Sequence, residues 1–261
     1  MTTTQEETIS NDLLYGVGVS DSKLYHSIRE KHRNRTASGT RDYLVKGSWR
    51  NLIDVYWQAT SEQIDKGEAF YENARDESKL LGNELGLKGY KAITVGAGII
   101  SVLSPRMDWD LNLASAKVFI AEGHTNRQTN TNNRKAKLIQ MGTDPMDVMG
   151  RDSHKTKAFY QAICSPLGNN EVWDLQGYGD KHTTLAVIDR HAGGAYIGKP
   201  LQEYQRNQIT HWRVNKRISN AYFRGAKELL MPVNVFQAVV WNVFRDEFYM
   251  KQPYRMQRKR K

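Results

Sequence analysis

Cysteine is nearly missing: Cys164 is the only one in 261 residues. A lone thiol excludes an intramolecular disulfide framework, a four-cysteine iron–sulfur cluster and a cysteine-rich zinc site, and it predicts an intracellular protein. Long apolar runs are missing too. The longest, Ala92 to Leu103, is too short to span a bilayer and predicts a buried helix. Met1 to Glu7 lack the basic and apolar regions of a signal peptide, so no membrane partner is expected. The seven histidines form no H-E-x-x-H and no H-x-E with C-x-x-C, and neither a G-x-x-x-x-G-K-[ST] loop nor a dinucleotide fingerprint occurs. No metal and no cofactor are therefore expected. Convincing alternating strands are almost absent, which makes the expected fold all-α or nearly so.

What the chain has in excess is positive charge. Its 38 Lys and Arg against 28 Asp and Glu leave a formal net charge of +10, which favours an anionic partner. Lys251, Arg255, Arg258, Lys259, Arg260 and Lys261 lie in the last eleven residues without an acid, so six of the ten net charges sit there. Nucleic acid is the usual functional partner of such a tail. A hydrophobic content of 39% fits a globular chain. The expected organisation is a polar arm over 1–40, a helical domain over 41–250 and a basic tail over 251–261.

Helical periodicity predicts helices over Trp49–Lys66, from Gly67 to near Gly86, and over Ala92–Leu103, the last ended by Pro105. Trp109–Glu122 follows, with Asp108 and Asp110 at its positive end. Residues 124–133 read as a polar loop. Further helices are expected over Arg134–Met141, Lys155–Cys164, Trp212–Leu230 and Val233–Tyr249, with 165–184 mostly loop.

The richest stretch for chemistry is Val187 to Gly193. Asp189 follows a β-branched, apolar approach, so its carboxylate is carried toward apolar surroundings. There it is either paired or chemically poised, because an isolated buried carboxylate is costly. Arg190 and His191 stand beside it, a set suited to acid–base work on an anionic substrate. The plain alternative is a carboxylate that caps a helix starting near Arg190.

Three other groups stand out. Ser104, Arg106, Trp109 and Asn112 mark the junction of two helices, where a helix start plus Arg106 suits a phosphate and Trp109 suits a base, unless Trp109 is core. Gln237, Trp241 and Arg245 share one helix face: the amide reads a base edge and the guanidinium holds phosphate, unless the stripe is packing. Leu175 to Lys181 matches the L-x-G-x-G hairpin of helix–hairpin–helix modules, although only seven residues separate Lys181 from Asp189.

Ile188-Asp189-Arg190-His191 resembles the V-D-T-H element of helix–hairpin–helix DNA glycosylases, whose aspartate is the catalytic carboxylate. Several blocks together resemble a bacteriophage family related to those enzymes, the α-glutamyl/putrescinyl-thymine pyrophosphorylases or amino acid:DNA transferases. They are Gly67 to Tyr71, Ala97 to Arg106 with Trp109 and Asn112, Lys157 to Tyr160, Val187 to Ala192, and Gln237 to Trp241, in family order over roughly residues 50–245.

The resemblance implies a glycosylase-like helical fold and, as partners, double-stranded DNA containing modified thymine and a free amino acid. The activity implied is displacement of a phosphate or pyrophosphate ester at the 5-methylene carbon of a 5-hydroxymethyluracil-derived base. Its purpose would be to protect phage DNA from host nucleases in the bacterial cytoplasm. Asp189 and His191 would be catalytic, with Ser104, Arg106, Trp109, Asn112, Arg190, Gln237, Trp241 and Arg245 binding substrate and DNA. Base excision by the same carboxylate, or DNA binding without chemistry, are the alternative readings.

Overall fold

A computed structural model describes residues 46–150, 153–165 and 186–250. Eleven α-helices and one π-helical turn make up its secondary structure, with no strand among the described residues, so the chain is all-α. The helices are α1 Trp49–Tyr56, α2 Ser61–Glu84, α3 Gly89–Leu103, α4 Trp109–Glu122, α5 Asn130–Gln140, α6 Pro145–Met149, α7 His154–Cys164, α8 Arg190–Ile197, α9 Glu203–Gln208, α10 Trp212–Glu228 and α11 Val233–Arg245. The π-helical turn Asp246–Met250 continues α11. The arm over 1–40, the glycine-rich Leu175–Lys181 segment and the basic tail lie outside the described residues. Two compact units emerge: one combines residues through Glu68 with those from Ile188 onward, and the other holds Ala69–Val187.

In the first unit α11 is the central helix, packed on α1, α8 and α10. Its sequence explains this. Val233, Phe236, Val239, Val240, Val243 and Phe244 leave it apolar on most sides, and all are buried. Two glycines let its aromatic rings in close. A Cβ on Gly225 of α10 would lie 2.7 Å from the Phe236 ring, and one on Gly194 of α8 would lie 2.6 Å from that of Phe244. α1 docks on the end of α8, where the backbone N–H of Ser48 and the side-chain amide of Asn51 both donate to the Tyr196 carbonyl at 3.0 Å. They satisfy an acceptor that the helix end leaves open.

In the second unit α3 holds the same central place, touching α4, α5, α6 and α7. Every residue from Ala92 to Leu103 except Thr94 is buried, as its apolar run predicts. α2 crosses it backbone to backbone: a Cβ on Gly96 would fall 1.9 Å from the Ser78 carbonyl oxygen, and one on Gly82 would fall 2.1 Å from that of Ala92. Ser78 and Gly82, and Ala92 and Gly96, are small residues four apart, so one face of each helix meets the other. Arg75 closes the end of α7, donating from Nη1 to the carbonyls of Cys164 at 2.7 Å and Ser165 at 2.9 Å. Among the described residues no helix is long and apolar enough to cross a membrane.

Several boundaries differ from the sequence reading. The expected break at Gly67 is not one, because α2 runs through it, and the chain breaks instead between Tyr56 and Ser61. Thr60 and Gln63 form a reciprocal cap there: Gln63 N donates to Thr60 Oγ1 at 3.3 Å, and Thr60 N to Gln63 Oε1 at 3.0 Å. Gly67 serves proximity rather than interruption, since a Cβ would sit 2.4 Å from Val239 Cγ2. α5 begins four residues before Arg134 because Thr129 caps it, accepting from Asn132 N at 3.2 Å. The short helices α6 and α9 were not expected. Asp144 caps the first, with Pro145 inside the cap where its missing N–H costs nothing.

Candidate functional site

Asp189 ends an extended approach and begins α8. Its Oδ1 accepts from the backbone amides of His191 at 2.8 Å and Ala192 at 3.0 Å, the geometry of a helix cap. Its Oδ2 accepts from the indole Nε1 of Trp241 on α11 at 3.0 Å. Of the two alternatives open in the sequence, the carboxylate is paired, and it is also the cap. Fifty-two residues of chain separate the two partners.

Trp241 organises the rest. The Arg245 guanidinium lies over its ring, 4.8 Å from the centroid. The His191 imidazole meets it edge-on at 5.3 Å and 78°. Arg190 is exposed, and its Nε donates to His191 Nε2 at 3.1 Å. Accepting at Nε2 takes the neutral imidazole with its proton on Nδ1. Arg245 donates from Nε and Nη2 to Asp246 Oδ1 at 3.1 and 3.0 Å. Gln63 of α2 donates to Asp246 Oδ2 at 3.0 Å. Burial pushes the Asp246 carboxyl up, but hydrogen bonds from Gln63 and Arg245 and the charges of Arg245 and Lys66 outweigh it and hold the group below its ordinary value.

The first unit thus brings together Asp189, Arg190, His191, Trp241 and Arg245 of the expected residues. Gln237 is on the same helix but buried, at 3% exposure, so it offers no open amide to a base edge. Asp246 and Gln63 were missed. The adjacency of Arg245 and Asp246 was visible in the sequence, whereas nothing pointed to Gln63, 183 residues away.

Ser104, Arg106, Trp109 and Asn112 belong to the second unit. Ser104 is buried and its hydroxyl donates to the Ser101 carbonyl at 2.8 Å. Arg106 is exposed with φ at +66°, a left-handed turn between α3 and α4. Trp109 is half-buried against Phe70 at 5.4 Å and Phe159 at 6.5 Å. The cap of α4 is Asp108, whose Oδ1 accepts from Leu111 N at 2.9 Å, while Asn112 is buried one turn in. Among the described residues no three His, Cys, Asp or Glu side chains converge as a metal site would require.

Fold and site together define an all-α protein of two helical units, one of which holds a carboxylate between a helix start and an indole. The chain belongs to DUF7178, a family of unknown function, which it matches over residues 34–248. No curated protein and no solved structure matches it.

Proposed function

We propose that this protein is a DNA-modifying enzyme that transfers an amino acid to an activated 5-hydroxymethyluracil base. The observation that carries the proposal is the Asp189 carboxylate, oriented by the α8 amides and the Trp241 indole, with His191, Arg190 and Arg245 around it. A glycosylase-like fold and extrusion of the base from the duplex are part of the same reading, and stacking and phosphate contacts must offset the few kcal/mol that extrusion costs.

In this mechanism the amino acid's nitrogen forms a bond to the 5-methylene carbon. The carbon–oxygen bond to phosphate or pyrophosphate breaks, and the leaving group departs with the electron pair. An ammonium must lose a proton before it attacks, and Asp189 takes it. The exposed Arg190 faces the departing anion, and Trp241 presents an aromatic surface to the base. His191 positions rather than reacts: buried and held by Arg190, it packs in a T-shaped contact on the indole that orients Asp189.

The test uses duplex DNA carrying phosphorylated 5-hydroxymethyluracil, incubated with amino acids and digested to nucleosides for mass spectrometry. An aminoacyl thymidine with its sugar–base bond intact is expected, and its loss in Asp189→Asn assigns the proton acceptor. Abasic sites would make the protein a glycosylase, and unchanged DNA would leave a binding protein without chemistry.

A further inference from the structure

α10 carries Arg213, Lys216, Arg217, Arg224 and Lys227 against a single acid, Glu228. Its apolar side, with Val214, Ile218, Ala221 and Tyr222, is buried. At 3.6 residues per turn, Arg213, Lys216, Asn220, Arg224 and Lys227 fall within about 80° of arc, a row about 21 Å long. Arg213, Lys216, Asn220 and Lys227 are exposed and Arg224 is half-buried. Among the described residues, neither Lys216 nor Lys227 has an acid within 4.0 Å.

Near each end of the row an arginine packs against a tryptophan. Arg213 lies 5.3 Å from the Trp212 ring centroid. At the other end Arg224 and Arg50 lie 4.5 and 5.2 Å from that of Trp49, the first residue of α1. A guanidinium against an indole loses little hydration, and the exposed Arg213 keeps its planar fork of N–H groups for a bidentate anion. An open groove of about 930 Å³ lies at this end, lined by Arg50, Arg224, Lys227, Glu228 and Leu230.

We infer that this face of α10, with the start of α1, is a docking surface for the phosphate backbone of DNA. Charge complementarity selects the occupant. A straight row of cations spaced by helical turns matches a polymer carrying one charge per about 3.4 Å of axis on each strand. An anionic lipid surface would instead call for an apolar side chain beside the cations along the whole row, and Asn220 stands at its centre. The choice of DNA over other polyanions rests on the proposed function, whereas the surface itself is independent of any chemistry at Asp189.

The experiment measures binding of the full chain to a labelled, unmodified DNA duplex by fluorescence anisotropy across about 50–200 mM salt. The double variant Lys216→Ala/Lys227→Ala is expected to flatten the slope of log affinity against log salt by about 2, roughly 1 per lost phosphate contact. It should also weaken binding about tenfold or more at the low-salt end. Arg213→Lys keeps the charge and loses the fork, so affinity falls while the slope stays. Lys88→Ala/Lys91→Ala removes equal charge from exposed positions of the other unit and leaves binding as it was.

A slope and affinity unchanged in the α10 double variant overturn the inference. So does an equal loss in the Lys88/Lys91 control, or tighter binding to phosphatidylserine vesicles with the same sensitivity. Binding through this face with no base modified refutes the chemistry alone. Modification by a double variant that binds normally refutes the surface alone.

Discussion

Asp189 and Trp241 should be energetically coupled, and a double-mutant cycle measures by how much. Trp241→Phe keeps an aromatic ring against His191 and removes the N–H that donates to Asp189 Oδ2 at 3.0 Å. A hydrogen bond to a charged acceptor contributes about 1.5–3 kcal/mol; because both side chains are half-buried, the lower end applies. Asp189→Ala loses that bond and the α8 cap, a further ~1 kcal/mol. The singles should therefore destabilise by about 1.5 and 2.5 kcal/mol, and the double by about 2.5 rather than 4, leaving a coupling near 1.5 kcal/mol. Urea unfolding followed by circular dichroism supplies all four stabilities, with constant m-values as the check on two-state behaviour. Asp189→Asn belongs in the same series. Asparagine caps as well as aspartate, but its amide cannot serve the cap and the indole N–H together, so the indole bond's ~1.5 kcal/mol is lost. Additivity to within about 0.3 kcal/mol would refute the reasoning, because the indole bond would then contribute nothing to holding the carboxylate.

Two further outcomes follow from the second unit. Gly96→Ala places a methyl 1.9 Å from the Ser78 carbonyl oxygen, backbone that cannot step aside, so it should cost about 3 kcal/mol or more by thermal denaturation. Burial pushes the Cys164 thiol up to about 12 from 9.0, against the weaker opposing effects of Tyr160 and Arg75. The folded chain thus keeps a proton that the unfolded chain releases, and the stability present below pH 9 declines as pH rises toward 12. Urea midpoints between those limits should fall in the wild type and fall less in Cys164→Ala; equal declines would reject the assignment.

The helices with strong periodicity and a chemical boundary were legible. α4 has the expected bounds, Trp109–Glu122; acidic charge marked its start, and the structure shows Asp108 as the cap there and Gly123, in a left-handed conformation, at its end. The break before α2 falls at residues 57–60 and not at Gly67, because a glycine inside a packed helix does not end it. The Thr60–Gln63 pair that sets the start was equally present in the sequence, and Gly67 owes its place to Val239, a contact no local pattern contains. In the site, Asp189 as a cap was local and visible, since its amide donors are two and three residues away. Its indole partner was visible only as a candidate on another helix. The pairing of Gln63 with Asp246 depends on how α2 meets α11, which only the packed unit determines.

A carboxylate tethered at both oxygens has little freedom to swing. If Asp189 accepts a proton as proposed, the donor must travel to a fixed acceptor, and a molecule whose proton arrives an ångström wide finds no side chain leaning out to receive it. Under the proposed transfer reaction, selectivity would come from stiffness: the indole acts as a strut, and loosening it should broaden the range of amines accepted while slowing each of them.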